Sequence, residues 1–430
     1  MTPETIYQIF TDHPVVTIDS RKIEKDSIFF ALKGDNFNGN AFALAAIEAG
    51  AAYAVIDEAE FAVHEKIILV ENVLKTLQDL ARLHRQKLGI PILAITGTNG
   101  KTTTKELVSA VLSKKYNLIC TKGNLNNHIG VPLTLLSFKP ETEFGVVEMG
   151  ANHPGEIDEL CRIALPDYGL ITNVGRAHLE GFGSFEGVIQ TKTELYRFLE
   201  QKEGTIFINN ANPYLAGKAE KVKKIGYTTS KAFDGLEGET VSSDPMLVFK
   251  ALFPKGWLYI KTQLVGSYNL ENALAAAAIG QYFGIDPTVI AQAIESYQPD
   301  NNRSQMVVTE RNRLLMDAYN ANPSSTRAAL ENFDHIVSPT KGVILGDMLE
   351  LGEVSQEEHQ KIVDFLLTLK LDLVYLVGPQ YLACKTPEQY RHFNQSTDLA
   401  LFLQQQSLSD YLLLIKGSRG MKLETIRPEL

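Results

Sequence analysis

A glycine-rich turn between an apolar run and a helix constrains this 430-residue chain more than any other feature. Residues 92–96 are a short apolar run, and residues 97–102 read Gly-Thr-Asn-Gly-Lys-Thr. A helix is predicted next, because Leu107, Val108 and Val111 recur at helical spacing. This order predicts a phosphate-binding loop, in which backbone N–H groups and a helix N-terminus meet phosphate oxygens.

The match to the usual nucleotide-loop pattern is incomplete. Ile95 stands where the first glycine of that pattern belongs. A tight strand-to-helix turn with a solvated lysine is the alternative, but the flanking strand and helix favour phosphate binding. Lys101 would supply a charge and Thr102 a hydroxyl for Mg²⁺. The predicted nucleotide-loop residues are Gly97, Thr98, Asn99, Gly100, Lys101, Thr102 and Thr103.

The length and the order of elements predict three α/β domains. At roughly 150 residues per domain, a chain of this length divides into about three. Residues 1–88 hold short strands separated by helices, and a Gly-Ile-Pro joint follows at 89–91. For residues 89–299, the alternation of apolar runs and helices predicts a doubly wound, mostly parallel sheet of the P-loop ATPase type. Within it, apolar and polar residues alternate over 225–264, which predicts a small antiparallel appendage. Residues 300–430 predict a Rossmann-like α/β domain.

Composition narrows the class of protein. Hydrophobic residues make up 44% and charged residues 21%, as in globular proteins. The formal net charge of −10 argues against a general binder of nucleic acid or anionic membranes. The three cysteines have no CxxC spacing, so neither a disulfide framework nor a zinc cluster is indicated. Without a leader-like start or an apolar run of about 18 residues, the chain is predicted to be cytoplasmic and not inserted into a membrane.

Two polar residues are predicted to lie beside the phosphate loop. Glu148 ends an apolar strand, and His178 lies in a loop just after another. In an open α/β sheet both would project at the carboxyl edge, where ligands bind. Taken alone, a glutamate at a strand end is more often a solvated cap, and a lone histidine is more often structural.

Two asparagines and a lysine have weaker signals. Asn269 and Asn272 stand three apart at the start of an Ala-rich helix, so their amides share one face. A capping pair is the alternative. By composition, Lys192 is an ordinary surface lysine on a predicted helix.

Six motifs in order carry a resemblance that extends over nearly the whole chain. They are Asp19-Ser20-Arg21, residues 95–106 (ITGTNGKTTTKE), residues 123–130 (GNLNNHIG), Glu148-Met149-Gly150, residues 173–178 (NVGRAH) and residues 266–272 (GSYNLEN). Together they resemble the Mur ligase and folylpolyglutamate synthetase superfamily, whose members form amide bonds with ATP.

The resemblance implies roles for individual residues. It implies ATP and two Mg²⁺ ions as cofactors, with Thr102, Glu148, His178 and a carbamate on Lys192 around the metal. Asn269 and Asn272 would face the adenine and the phosphate region, Arg303 the phosphates and Asp317 the ATP ribose, while Asn127 would lie beside the nucleotide site. The residues that it implies for catalysis are Lys101, Glu148, His178, Lys192 and Arg303.

Motifs of the third domain narrow the choice within the superfamily. Residues 317–325 (DAYNANPSS), residues 346–352 (GDMLELG), His359 and residues 416–420 (KGSRG) resemble members that add D-alanyl-D-alanine to a UDP-muramoyl-tripeptide. The DNPR-type sequence of the sister ligases, which add a single amino acid to a UDP-muramoyl-dipeptide, is not found. That sister activity is the alternative to dipeptide addition. A P-loop kinase or a non-catalytic nucleotide-binding module would share the loop but would not need the other motifs.

The N-terminal domain resembles a UDP-muramoyl-peptide-binding domain. Ser20, Arg21, Asn127, Asn320 and Asn322 are the residues implied to bind substrate. Asn40 stands where relatives usually have histidine, so the nucleotide-sugar contacts there stay open. The sequence also leaves open whether the third residue of the accepted peptide is diaminopimelate or lysine. It does not determine the oligomeric state, for which a monomer is predicted.

Overall fold

The computed structural model describes residues 2–299, 302–406 and 408–430. Its strands form three main sheets, one in each predicted domain, together with a two-stranded hairpin. The predicted start of the third domain, Asp300, lies outside the described residues. The α/β fold class with mostly parallel sheets is confirmed.

The first sheet is parallel throughout its four strands. Its order along the sheet follows the chain, and a short hairpin, Lys33–Gly34 with Phe37–Asn38, extends from it. The strands are Val16–Thr17, Ile28–Phe30, Tyr53–Ile56 and Ile67–Leu69. The helices of this part are Pro3–Asp12, Ala43–Glu48 and Val73–Leu88.

The middle sheet has nine strands, and Ile92–Thr96 lies inside it, between Tyr168–Ile171 and Phe144–Glu148. These neighbours are parallel, so the phosphate loop, Glu148 and the loop of His178 follow the carboxyl ends of adjacent strands. From one edge the order is Gly256–Val265, Met246–Phe253, Leu236–Ser243, Lys223–Thr228, Thr205–Asn209, Tyr168–Ile171, Ile92–Thr96, Phe144–Glu148 and Leu118–Cys120. The α-helices are Lys101–Leu112, Gly130–Leu136, Glu156–Ala164, Leu179–Phe182, Phe185–Lys192, Glu194–Gln201, Pro213–Ala216, Leu270–Tyr282 and Pro287–Ser296.

The antiparallel appendage predicted at 225–264 is found in the later part of that stretch, but its first strand is parallel to its neighbour. Lys223–Thr228 pairs in parallel with Thr205–Asn209, and Leu236–Ser243 continues that parallel pairing. The two later strands are antiparallel, as their alternation indicates. They extend the middle sheet through Leu236–Ser243, an attachment that the sequence pattern does not reveal.

The third sheet has six strands, and four of its five pairings are parallel. The first strand, Gln305–Val308, pairs antiparallel with the second. The order is Gln305–Val308, Arg313–Asp317, Leu412–Lys416, Lys341–Gly346, Leu373–Val377 and Arg391–Phe393. The α-helices of this domain are Pro323–His335, Ser355–Leu366, Pro379–Leu382 and Ser396–Gln404.

The first two domains share one hydrophobic core. Residues of the first sheet and of helix Val73–Leu88 belong to the same buried cluster as Ile92, Leu135 and Leu160 of the middle domain. Polar contacts reinforce this packing: Arg85 bonds the Ala164 carbonyl and forms an ion pair with Asp167 at 2.7 Å. Helix Val73–Leu88 therefore joins the two sheets as one packed unit.

Every helix in the described part of the chain is too short or too polar to span a bilayer.

Candidate functional site

A cavity of about 770 Å³ lies at the carboxyl edge of the middle sheet, with walls from the middle and third domains. The predicted site residues that line it are Thr98, Asn99, Gly100, Lys101, Thr103, Asn127, Glu148, His178, Asn269, Asn272, Arg303, Asp317, Asn320 and Asn322. Gly97, Thr102 and Lys192 lie behind this wall, and Ser20 and Arg21 lie in the first domain.

The phosphate loop is held by residues that follow the neighbouring strand. Asn173 accepts a hydrogen bond from the Asn99 N–H at 3.0 Å and donates to the Asn99 carbonyl at 3.1 Å. Gly100 has φ of +76°, and a side chain there would collide with Asn272. The loop is thus fixed before any ligand arrives, and glycine is required at position 100.

Lys101 lies at the N-terminus of helix Lys101–Leu112 and folds back onto its own loop. Its ammonium donates to the Gly97 carbonyl at 2.8 Å and the Thr98 carbonyl at 3.0 Å. Burial lowers the pKa of Lys101, and nearby Arg303 lowers it further, while Glu148 acts in the opposite direction. Lys101 and Arg303 therefore repel each other, and a phosphate bound in the cavity would be attracted to both.

Glu148 is buried and bonded to two neighbours. The Thr102 hydroxyl donates to one carboxylate oxygen at 2.8 Å, and the Asn126 amide donates to the other at 2.8 Å. Glu148 and Asn126 line the cavity and Thr102 bonds to Glu148, so carboxylate, amide and hydroxyl oxygens, the donors that Mg²⁺ prefers, lie close together. In the described residues no cluster of three or more His, Cys, Asp or Glu is arranged to hold a metal.

Lys192 is not the surface lysine that its composition suggests. It is 2% exposed, its ammonium donates to the Ala151 carbonyl at 3.3 Å, and it lies 5.3 Å from the Phe182 ring centroid. Burial and the charge of Lys101 hold the pKa of Lys192 well below its usual range. The neutral amine is therefore favoured, and a neutral amine is the form that reacts with CO₂.

His178 lies in the loop after Tyr168–Ile171 and contacts the third domain. Its Nδ1 pairs with a carboxylate oxygen of Glu350. Its ring also packs edge-on against Phe182 at 6.3 Å. The structure therefore places His178 on the cavity wall, with a third-domain carboxylate as its partner.

Asn269 and Asn272 lie on one helix face, as predicted, but they bond to protein. Asn269 donates to the Val265 carbonyl at 2.8 Å, Asn272 donates to Asn269 at 2.9 Å, and the Thr104 hydroxyl donates to Asn272 at 3.0 Å. This chain ties the start of helix Leu270–Tyr282 to the phosphate-loop helix. Both asparagines also line the cavity.

Arg303 and Asp317 lie opposite the phosphate loop on third-domain elements. The Arg303 guanidinium stacks 3.6 Å from the centroid of the Tyr319 ring, and its buried Nε has no hydrogen-bond partner among the described residues. Asp317 ends its strand and pairs with buried Lys416 at 2.6 Å. An unpaired buried donor is costly, so the Arg303 site fits an anionic ligand.

The three asparagines predicted to contact substrate differ in their surroundings. Asn322 caps helix Pro323–His335 and donates to Asn99 of the phosphate loop at 2.8 Å. Asn127 accepts from the backbone N–H groups of residues 129 and 130 and so shapes a turn. Asn320 is exposed, and its side chain accepts from the Ala321 N–H at 2.9 Å.

The N-terminal motif lies at the end of the first strand. Arg21 is exposed and its guanidinium bonds Asp19 at 2.8 Å. Asn40, the departure from the usual histidine, is fully buried and exchanges two hydrogen bonds with Asp57. Asn40 therefore supports the first sheet from within.

Sequence reasoning missed Asn126, Tyr319 and Glu350 as contributors to the site. Asn126 stands next to Asn127 in the same motif, and Tyr319 stands in the third-domain motif, so both had a local signal. Glu350 had none that points to His178, because the contact joins residues far apart in the chain.

Comparisons with known proteins match all three parts of the chain. Residues 14–85 match the profile "Mur ligase family, catalytic domain", residues 95–280 "Mur ligase middle domain", and residues 302–419 "Mur ligase, glutamate ligase domain". The chain belongs to the Mur ligase family.

Curated relatives of this Mur ligase match it along nearly its whole length. A UDP-N-acetylmuramoyl-tripeptide--D-alanyl-D-alanine ligase of Bacillus subtilis is 35% identical over 99% of this chain and 94% of its own. The ligase of the same name from Escherichia coli is 32% identical over 96% of this chain and 92% of its own.

Solved structures agree in fold. A crystal structure of MurF from Acinetobacter baumannii superimposes with a TM-score of 0.87 at 29% identity, covering 96% of this chain and 92% of that one. MurF ligase from Thermotoga maritima, solved in complex with ADP, has a TM-score of 0.86 at 26% identity and covers 96% of each chain. The three-domain Mur ligase fold is thus confirmed.

Proposed function

We propose that this Mur ligase joins D-alanyl-D-alanine to a UDP-N-acetylmuramoyl-tripeptide, using ATP and passing through an acyl phosphate. The observation that carries the proposal is a single cavity walled by the phosphate loop on one side and by Arg303, Asp317 and Asn320 on the other. Full-length similarity to ligases with this printed activity supports it. The product is the UDP-muramoyl-pentapeptide precursor of peptidoglycan.

The nucleotide would lie along the phosphate loop. Backbone N–H groups of residues 98–101 and the Lys101 ammonium would bind the β- and γ-phosphates, and the free Nε of Arg303 would donate to the γ-phosphate side. Asn269 and Asn272 would border the adenine, and Asp317 would accept from the ribose hydroxyls. The similarity to a MurF solved with ADP supports a nucleotide in this cavity.

The reaction follows in two steps. The terminal carboxylate of the tripeptide attacks the γ-phosphorus, the bond from that phosphorus to ADP breaks, and an acyl phosphate forms. The dipeptide amine then attacks the acyl carbon, the bond to phosphate breaks, and the amine releases its proton. Lys101 and Arg303 would neutralise the charge that spreads over the transferred group.

The donor set fits Mg²⁺ at one position. Thr102 and Glu148 supply a hydroxyl and a carboxylate with their oxygens 2.8 Å apart, and both lie beside the phosphate loop. When bound, Mg²⁺ would neutralise phosphate charge. A second ion would use Glu148, His178 and a carbamate on Lys192.

The carbamate on Lys192 is the finer part of the proposal. Burial and the charge of Lys101 lower the pKa of Lys192 and so favour its neutral amine, the form that can take up CO₂ and become an anion. Lys192→Ala should be nearly inactive, and a short-chain carboxylate in excess should partly restore turnover. A crystal structure of active enzyme with unmodified Lys192 at saturating bicarbonate would count against the carbamate.

The acceptor would bind between the third-domain loops. Asn320 is exposed at the cavity wall, and Arg419 lies with its guanidinium 5.3 Å from the Tyr319 ring centroid. The Asn320 amide would meet the peptide unit of the dipeptide, and Arg419 its carboxylate. Ser20 and Arg21 would contact the UDP-sugar of the other substrate. We propose the domain boundaries 1–88, 89–299 and 300–430, a monomer and a cytoplasmic location with these assignments.

The experiment is a phosphate-release assay across UDP-muramoyl-dipeptide and UDP-muramoyl-tripeptide donors, each with D-alanyl-D-alanine, D-alanine, L-lysine or diaminopimelate. The expected result is turnover of tripeptide with D-alanyl-D-alanine, and mass spectrometry should find the joined product. Free amino acids should be far poorer acceptors, because each polar group that becomes buried under the bound acceptor without a hydrogen bond costs about 1 to 3 kcal/mol. A higher kcat/KM for a free amino acid on the dipeptide donor would refute the proposal and favour the sister activity.

A further inference from the structure

The contact between His178 and Glu350 joins the nucleotide edge of the middle domain to the third domain. His178 lines the cavity, and its Nδ1 pairs with the Glu350 carboxylate. We infer that Glu350 is a positioning residue for His178. It would hold the imidazole so that Nε2 remains the nitrogen available to a metal ion or phosphate in the cavity.

The segment that carries Glu350 is fixed by buried contacts. Asp347 accepts from the Gln380 and Tyr381 N–H groups at 2.9 and 3.0 Å, and the Met348 N–H donates to buried His359 at 2.9 Å. The next backbone N–H, of residue 349, donates to a serine hydroxyl at position 418. Three consecutive residues are thus anchored immediately before Glu350.

Glu350 and its partner both have a backbone conformation that side chains rarely adopt. The φ angle is +66° at Glu350 and +50° at His178. Non-glycine residues in the left-handed region cost energy and persist where surrounding contacts hold them. The contacts on both loops supply that support.

The loop of His178 meets the third domain at neighbouring points as well. The Arg176 N–H donates to Ser324 at 3.2 Å, and the Arg176 guanidinium lies 3.7 Å from the Glu358 carboxylate. A Cβ at Gly352 would lie 3.3 Å from the Glu180 Cβ. The two loops approach along several residues, so the pairing of His178 belongs to a built interface.

A carboxylate on one imidazole nitrogen determines which nitrogen keeps its lone pair. If Nδ1 donates its proton to Glu350, Nε2 is an acceptor and can ligate a metal, and the carboxylate also makes it a better donor of electrons. Glu350 comes from the third domain, so His178 would be oriented only when that domain contacts the middle one. Contact with the acceptor-binding domain would thus complete the nucleotide site, an inference that rests on the proposed ATP-dependent ligation.

The test compares Glu350→Ala with Glu353→Ala, which removes an exposed carboxylate from the same segment. Mn²⁺ affinity is measured by electron paramagnetic resonance with a non-hydrolysable ATP analogue. Glu350→Ala should weaken Mn²⁺ binding about 10-fold or more, as loss of a partner behind a ligand usually does, and Glu353→Ala should leave it unchanged. Glu350→Gln should recover part of the affinity, because its amide oxygen still accepts the Nδ1 proton.

Two further measurements separate positioning from a purely structural contact. In a double-mutant cycle, Glu350→Ala should add little to the loss caused by His178→Ala. Nitrogen-15 NMR of labelled histidine should find the Nδ1-protonated tautomer of His178 in the wild type and a redistribution in Glu350→Ala.

Equal Mn²⁺ affinity in folded wild type and Glu350→Ala, or fully additive losses, would overturn the inference. Product formation by the wild type decides the proposed ligation separately, since the Mn²⁺ measurements need no tripeptide and no acceptor.

Discussion

Two lysines beside the phosphate loop and two polar residues of the third domain, His359 and Asn322, have opposite surroundings. Around the phosphate loop, the side-chain nitrogens of Lys101 and Lys192 contact backbone carbonyls, and both lysines have depressed pKa values. In the third domain, His359 and Asn322 are polar groups whose bonding partners are other parts of the protein. In the first region, a bound anionic ligand would supply the opposite charge that the protein lacks there. His359 and Asn322 already have hydrogen-bond partners within the protein, whereas Arg303 of the same domain has an unpaired Nε.

This difference teaches that membership of a motif does not define a role. Residues that lack an interaction until a ligand binds should matter for turnover. They should add little to the free energy of unfolding, or even lower it. Residues that are already satisfied should matter for folding first. Four measurements test whether the two regions divide in this way.

The largest effect is expected at Lys101. Lys101→Ala should lower kcat by at least about 10³-fold, because a charge aimed at the transferred phosphate is lost from a water-poor site. The free energy of unfolding should not fall, since a buried ammonium with a depressed pKa is removed. Turnover and urea unfolding are measured beside Lys114→Ala, an exposed lysine at the end of the same region. Normal turnover in a folded Lys101→Ala protein would contradict the assignment of residues 97–103 as the phosphate loop.

The next effect is on stability, at His359. This side chain is fully buried, accepts from the Met348 N–H and donates to the Ser355 carbonyl at 2.7 Å. His359→Ala should therefore lower the free energy of unfolding by about 2 to 4 kcal/mol, through a cavity and an unpaired N–H. Chemical denaturation of His359→Ala and of exposed His335→Ala measures it. If the two variants were equally stable, the third-domain motif would not have the structural role described.

A smaller effect distinguishes the two neighbouring asparagines. Asn322→Ala should cost about 1 kcal/mol of stability, because it removes the cap of helix Pro323–His335. Asn320→Ala should leave stability nearly unchanged and raise KM for D-alanyl-D-alanine. Denaturation curves and acceptor kinetics on both variants give the comparison. The reverse pattern, with Asn322 controlling KM and Asn320 stability, would show that the assignment is inverted.

The smallest effect is a dependence on pH. Burial lowers the pKa of His359 in the folded protein, so protonation favours the unfolded chain, in which histidine has a pKa of about 6.5. The His359 contribution is present above that pH and is lost as pH falls below it, by at most about 1.4 kcal/mol per pH unit. Burial raises the pKa of Asp347, and this shift acts on stability in the opposite direction. Unfolding free energies between pH 7.5 and pH 5.5, at about half-unit steps, should fall less steeply in His359→Gln than in the wild type. Equal slopes would contradict this assignment.

The sequence predicted the middle-domain site better than the third-domain one, for a physical reason. The phosphate loop is a contiguous segment: strand Ile92–Thr96 has the predicted bounds, and the helix predicted after the loop is present as Lys101–Leu112. The position of Glu148 beside the loop follows from parallel strands, whose carboxyl ends meet at one edge. Local pattern and sheet geometry were sufficient there.

Contacts between distant side chains could not be predicted. The bond from Asn322 to Asn99, the pair of His178 with Glu350 and the bond from Asn126 to Glu148 depend on how separate elements pack. Burial of Lys192 depends on the same packing, since its own helix gives no apolar signal at that position. The roles of the predicted site residues remain predictions until the variants are measured.

Helix Val73–Leu88 has a consequence for engineering with this family. This helix shares a hydrophobic core with the middle domain, and Arg85 on it bonds to residues 164, 165 and 167. The first two sheets therefore form one packed unit. A chimera that exchanges the donor-substrate specificity of two ligases should therefore be cut near residue 300, not near residue 88. A cut at residue 88 would leave apolar surface on both fragments and a guanidinium without its carboxylate.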